Sequence, residues 1–64
     1  MASMYNELIK NLKKANCKLV RSAKGSHEIW YSPISDKNVM VSRSIKSAPL
    51  ANSILKQAGL PKAF

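Results

Sequence analysis

The sequence predicts an α+β fold in two layers, with element order α-β-β-β-α: a three-stranded antiparallel sheet carrying two helices on one face. Apolar residues recur at helical spacing near both ends of the chain, at Tyr5, Leu8, Ile9, Leu12 and Ala15 and again at Leu50, Ile54 and Ala58. Between them lie three runs rich in β-formers, separated by short turn-forming stretches. Strands joined by short turns pair as an antiparallel meander, and helices with one apolar stripe each bury it against one sheet face. The 64 residues suit a single domain spanning 1–64, and they leave no room for a dinucleotide fold or a large internal pocket.

The first helix is expected over roughly residues 4–16, with Ser3 as N-cap and Glu7 in the first turn, where negative charge suits the helix dipole. Lys10, Lys13 and Lys14 fall on its opposite face. The run 17–22 is the first strand, and Cys17 at its start reads as a small buried hydrophobe. Lys24-Gly25 then makes a tight turn. The middle strand runs over 26–31 and is stopped by Pro33. Ser35 to Asn38 form the next turn, and Val39 to Ser42 the third strand. Ser47-Ala48-Pro49 opens the second helix, whose stripe Leu50, Ile54 and Ala58 is flanked by Ala51 and Leu55. Gly59, Leu60 and Pro61 stop it, and a left-handed Gly59 would fold Leu60 back on Leu55.

Charge narrows the partners. Eleven Lys and Arg stand against three acidic residues, a formal +8, with a pI of about 10.1. Such a surface attracts nucleic acid, an anionic membrane or an acidic protein. No apolar run approaches a membrane span, no hydrophobic signal core is seen, and one cysteine cannot form an intrachain disulfide, which together predict a cytoplasmic protein.

Most chemistries fall away by count. Glu7, Glu28 and Asp36 lie in three different elements and form no metal cage or paired-carboxylate couple. With a single Cys17 and a single His27, a zinc site is not expected, so no metal and no cofactor is predicted. Only Gly25 and Gly59 are glycines, so no phosphate-binding glycine loop exists, and no triad supports a nucleophilic serine. His27 is the one side chain that ordinarily titrates near neutrality. It follows Gly25-Ser26 directly, beside Lys24 in a basic chain.

The run Leu19-Val20-Arg21 … Lys24-Gly25-Ser26-His27-Glu28-Ile29-Trp30 resembles the hallmark of the HicA-type mRNA interferase toxins, the YcfA-like family, in which a Gly-Ser-His motif opens the middle strand. Asn52 to Leu60 also looks like that family's second helix, and Leu8-Ile9-Lys10 with Leu12-Lys13-Lys14 resembles its first more loosely. The resemblance implies a double-stranded-RNA-binding-domain-like fold and a ribosome-independent endoribonuclease, neutralised by a HicB-type antitoxin. It maps the catalytic histidine onto His27, and the motif glycine and serine onto Gly25 and Ser26. Where many members carry a further basic or histidine residue after the third strand, this chain has Val41-Ser42-Arg43-Ser44, so Arg43 becomes a phosphate-binding candidate and a two-histidine mechanism is excluded.

The residues suit that chemistry. RNA carries its own nucleophile in the 2′-hydroxyl, so an enzyme need only align it, move a proton and balance phosphate charge. His27 serves either as base toward the 2′-hydroxyl or, as imidazolium, as acid toward the leaving 5′-oxygen. Lys24 and Arg21 are phosphate-binding candidates, with backbone N–H groups at Gly25 and Ser26. Plainer readings stand beside these: Gly25-Ser26 as an ordinary hairpin turn, and the lysine face as a solvated surface. His27, Ile29 and Tyr31 share one strand face by the period of two, while Trp30 takes the other; which face meets the core stays open. The competing functions are a non-catalytic RNA-binding module of the same fold, against which stands the absence of a lysine cluster at the start of the second helix, and a small interaction protein whose basic charge serves an acidic partner only.

Overall fold

The computed structural model describes residues 3–64. The element order is α1 (Met4–Lys14), β1 (Lys18–Ser22), β2 (His27–Ser32), β3 (Lys37–Ser42) and α2 (Ala48–Gln57). The strands form one antiparallel sheet in the order β1-β2-β3. The fold class read from the sequence is the one observed.

Both helices start and stop by the same devices. Ser3 and Ser47 are the N-caps, their hydroxyls accepting from Asn6 N at 3.1 Å and Leu50 N at 3.3 Å. At the C-terminus of α1, Cys17 N donates to Leu12 O at 3.0 Å and Asn16 N to Lys13 O at 3.0 Å. At the end of α2, Leu60 N donates to Leu55 O at 2.8 Å and Gly59 N to Lys56 O at 3.0 Å. This paired pattern is the Schellman motif, which needs a left-handed residue after the cap. Asn16 at φ 64 and Gly59 at φ 82 supply it. The first helix is therefore two residues shorter than its apolar stripe suggested, because Ala15 and Asn16 form the cap.

The third strand begins at Lys37 rather than Val39, because the preceding turn closes over residues 33–36 with Asp36 at φ 53. Asparagine and aspartate tolerate that region better than other side chains with a Cβ.

Helices and sheet meet in a core built from Leu8, Ile9 and Leu12 of α1, Trp30, Val39 and Val41 of the sheet, and Ala51, Ile54 and Leu55 of α2, joined by Cys17, Ile45 and Ala58. Leu8, Leu12 and Leu55 are fully buried, each worth roughly 1.5–3 kcal/mol of transfer free energy. One expectation fails here. Leu50, read as core from its spacing, is 50% exposed, and Ala51 takes its place against the sheet. With Ser47 capping and Pro49 in the first turn, the helix approaches the sheet along Ala51, Ile54, Leu55 and Ala58.

The two glycines carry different constraints. At Gly25, φ is 71 but a Cβ would meet nothing within 4 Å; at Gly59, φ is 82 and a Cβ would lie 2.6 Å from Ile34 Cγ2. Gly25→Ala is expected to cost about 1–2 kcal/mol, the left-handed penalty alone. Gly59→Ala should cost more, because Ile34 must also move. Chemical denaturation of both variants checks the order; equal losses would mean that the Ile34 contact is without effect.

Candidate functional site

The turn that carries Lys24, Gly25 and Ser26 is clamped from both neighbouring strands. Ala23 N donates to His27 O at 2.8 Å, and Arg43 N donates to Ser26 O at 2.9 Å. Gly25 provides the left-handed residue that closes the turn, and the space outside it is open. Backbone pairing thus brings the Lys24-Gly25-Ser26-His27 run against Ser42 and Arg43 at one end of the sheet, His27 facing Ser42 in register.

His27 is exposed, at the first position of β2. Its Nδ1 lies 3.2 Å from Lys24 O. A carbonyl oxygen only accepts, so in this bond Nδ1 carries the proton. The neutral ring then presents Nε2 as a bare lone pair.

Alternation along β2 decides which face is which. Glu28, Trp30 and Ser32 are buried beneath the helices, while His27 and Tyr31 are exposed on the other side with Ile29 between them. The shared face of His27, Ile29 and Tyr31 is therefore the open one, and the core aromatic is Trp30. Tyr31 stands four residues from His27, about 13 Å along an extended strand, and its hydroxyl donates to Asp36. That hydrogen bond, with a lesser contribution from burial, raises the Tyr31 phenol above its ordinary range. The two side chains do not share one binding position.

Arg21 reaches the open face through an irregularity. Leu19 pairs with Trp30, but Arg21 pairs with Ile29, so Val20 is an extra residue in β1. Regular pairing would set Arg21 opposite Glu28, on the helix side. The bulge turns it over. Arg21 becomes a diagonal neighbour of His27, a relation that spans roughly 7–8 Å. Lys24 is exposed within the turn. Arg43 is brought close by its backbone, yet its charge acts on Tyr5, on the helix-covered side.

Two features were missed in the sequence. The first lies directly behind His27. Glu28 is buried, and its Oε1 accepts from Tyr5 Oη at 2.6 Å and from Trp30 Nε1 at 3.2 Å. Burial, followed by the bond to Glu28, pushes the Tyr5 phenol up to about 12. The network ties α1 to the strand that begins with His27. Its only sequence signal is a lone acid between a histidine and an apolar pair. The second is a groove of about 230 Å3 beside β3, lined by His27, Met40, Ser42, Leu50, Ile54 and Gln57. Its signal is two of the apolar residues that the core does not use, Met40 and Leu50.

Among the described residues, no three His, Cys, Asp or Glu side chains converge as metal ligands, and no helix is long and apolar enough to cross a membrane. The arrangement offers a proton acceptor at His27 Nε2, flanked by cationic side chains, at an open turn that a phosphate can approach. A family model described as the HicA toxin of bacterial toxin-antitoxin matches residues 5–60. No curated protein and no solved structure matches the chain.

Proposed function

The chain belongs to the HicA toxin family of bacterial toxin–antitoxin systems, and from that premise we propose that it is a metal-independent endoribonuclease that cuts mRNA with His27 and is held inactive by a HicB-type antitoxin. The observation that carries the reading is the bond from His27 Nδ1 to Lys24 O, which leaves Nε2 free on the open face. Nε2 accepts the proton of the ribose 2′-hydroxyl as that oxygen attacks the adjacent phosphorus. The bond from phosphorus to the 5′-oxygen breaks, and the departing oxygen takes a proton from solvent. One product ends in a 2′,3′-cyclic phosphate and the other begins with a 5′-hydroxyl.

Arg21 and Lys24 offset charge on the phosphate oxygens, and the turn at Gly25-Ser26 lets the phosphate approach the backbone, since nothing lies within 4 Å of where a Gly25 Cβ would stand. Arg43 adds positive potential from behind the turn. One positioned base accounts for about 10²- to 10⁴-fold in rate, with alignment of the 2′-hydroxyl supplying the rest.

Purified protein incubated with RNA in excess chelator tests this. Cleavage should persist, with 2′,3′-cyclic phosphate or its hydrolysis product at the new 3′ ends. A strict need for divalent metal with 5′-phosphate products would rule the mechanism out.

For the antitoxin, the proposal is occlusion of the His27 face. That face is uncovered in the fold, carries Arg21, Lys18 and Tyr31, and exposes Met40 to 55%. An acidic partner meets its charge, and aromatics and arginines are the usual anchors of tight interfaces. Hydrogen exchange on the complex should show protection across residues 24–31 and around Arg43. Protection confined to α1 and α2, with activity still lost, would contradict occlusion.

A further inference from the structure

The groove between β3 and α2 has no role in the proton transfer just described, yet His27 forms part of its wall. We propose that this groove is the subsite for the nucleobase adjoining the scissile phosphate, with Gln57 as the residue that reads it; the inference rests on the RNA-cleaving reading above and goes beyond it to base preference.

Four observations converge. The groove is continuous with His27, so a phosphate held there places its own nucleoside within reach of the groove. Its lining is largely apolar and comes from two elements: Met40 is 55% exposed on β3, Leu50 is 50% exposed on α2, and Ile54 lines it as well. Leu50 and Met40 come from different elements and would each be ordinary alone, but lining one groove they offer a base ring apolar contact. The groove's volume of about 230 Å3 is below the roughly 300–1,000 Å3 usual for larger ligands, which suits one ring system and no more. Apart from His27 its lining holds no titratable side chain. An acidic protein segment would find no cation there, whereas a neutral base needs none and leaves its phosphate on the basic side, near Arg21 and Lys24.

Gln57 supplies the polar reading. Its amide offers a donor and an acceptor in one plane, the pairing that matches a base edge. Its present partner is Ser53 Oγ at 3.4 Å, a long hydrogen bond that is cheaply exchanged. Ser42 adds a hydroxyl at the His27 end. Bases splayed out of single-stranded RNA are recognised by this combination of apolar contact and edge hydrogen bonds.

The test is cleavage of an RNA pool randomised around the cut, with sequencing of the nucleotides on both sides. The wild-type chain should prefer one base at a position next to the cut. Gln57→Ala should reduce that preference by roughly 5- to 150-fold, the discrimination a good side-chain–base pair provides, while total cleavage falls less. Gln57→Glu, which can only accept when ionised, should redirect the preference toward bases that present an amino group. Gln57 is exposed on α2, so neither change disturbs the core. If both variants cut at the wild-type positions with wild-type preference, the subsite is elsewhere. If the cuts are unchanged but antitoxin inhibition weakens, the groove belongs to the protein partner and the inference fails. If the wild-type chain itself cuts no RNA, the parent reading fails and takes this one with it.

Discussion

His27→Ala is expected to lower RNA cleavage by about 10²- to 10⁴-fold, the contribution of a single positioned base, with folding unchanged. The side chain is exposed, and its hydrogen bond to Lys24 O is local to the turn. The backbone bonds that hold the turn, from Ala23 N and Arg43 N, do not involve the imidazole. Stability and RNA binding should therefore survive the substitution. Single-turnover cleavage of an oligoribonucleotide, alongside a denaturation curve of the same preparation, separates the two effects. A variant that melts like the wild type and cuts at the wild-type rate would remove His27 from the chemistry.

Glu28→Ala is expected to be the most destabilising change near the site, by about 2–4 kcal/mol. It takes the acceptor from Trp30 Nε1 and Tyr5 Oη together, and a buried donor left unpaired costs about 1–3 kcal/mol. Glu28→Gln keeps an acceptor oxygen in place and should cost less. The same network has a signature in pH. The Tyr5 phenol is held at about 12 in the fold, against an ordinary value of 10.0. Below pH 10 both folded and unfolded chains keep the proton, so stability has no slope from this group. Between pH 10 and about 12 the unfolded chain loses the proton first, and stability falls as pH rises. Tyr5→Phe should flatten that decline. Urea titrations across the range read both effects; an unchanged alkaline slope in Tyr5→Phe would place the proton linkage on another group.

Local signals carried most of the reading. Gly59 was legible as a stop because only a left-handed residue completes a Schellman cap, and Gly25 because the turn before His27 needs positive φ. The Lys24-Gly25-Ser26-His27 run was legible for the same reason: its chemistry is contained in adjacent residues. What stayed hidden depended on pairing. The face that Arg21 occupies follows from the extra Val20 in β1, and alternation in the sequence cannot show where a bulge falls. Trp30 and Tyr31 are both β-formers, and the choice between them turned on Glu28 Oε1, which gives the buried indole N–H its partner. Leu50 was misread because helical spacing counts apolar positions without knowing how far the sheet extends beneath them. Its exposure beside Met40 and His27 is the trace of the groove.

If His27 activates the substrate's own 2′-hydroxyl, cleavage requires that hydroxyl at the cut. The decisive substrate is an oligoribonucleotide carrying a single 2′-deoxy residue on the 5′ side of a mapped cut. Cleavage at that position should vanish while cuts at unmodified positions continue in excess chelator. Cleavage at the deoxy position at the normal rate, releasing a 5′-phosphate, would show that the 2′-hydroxyl is not the nucleophile.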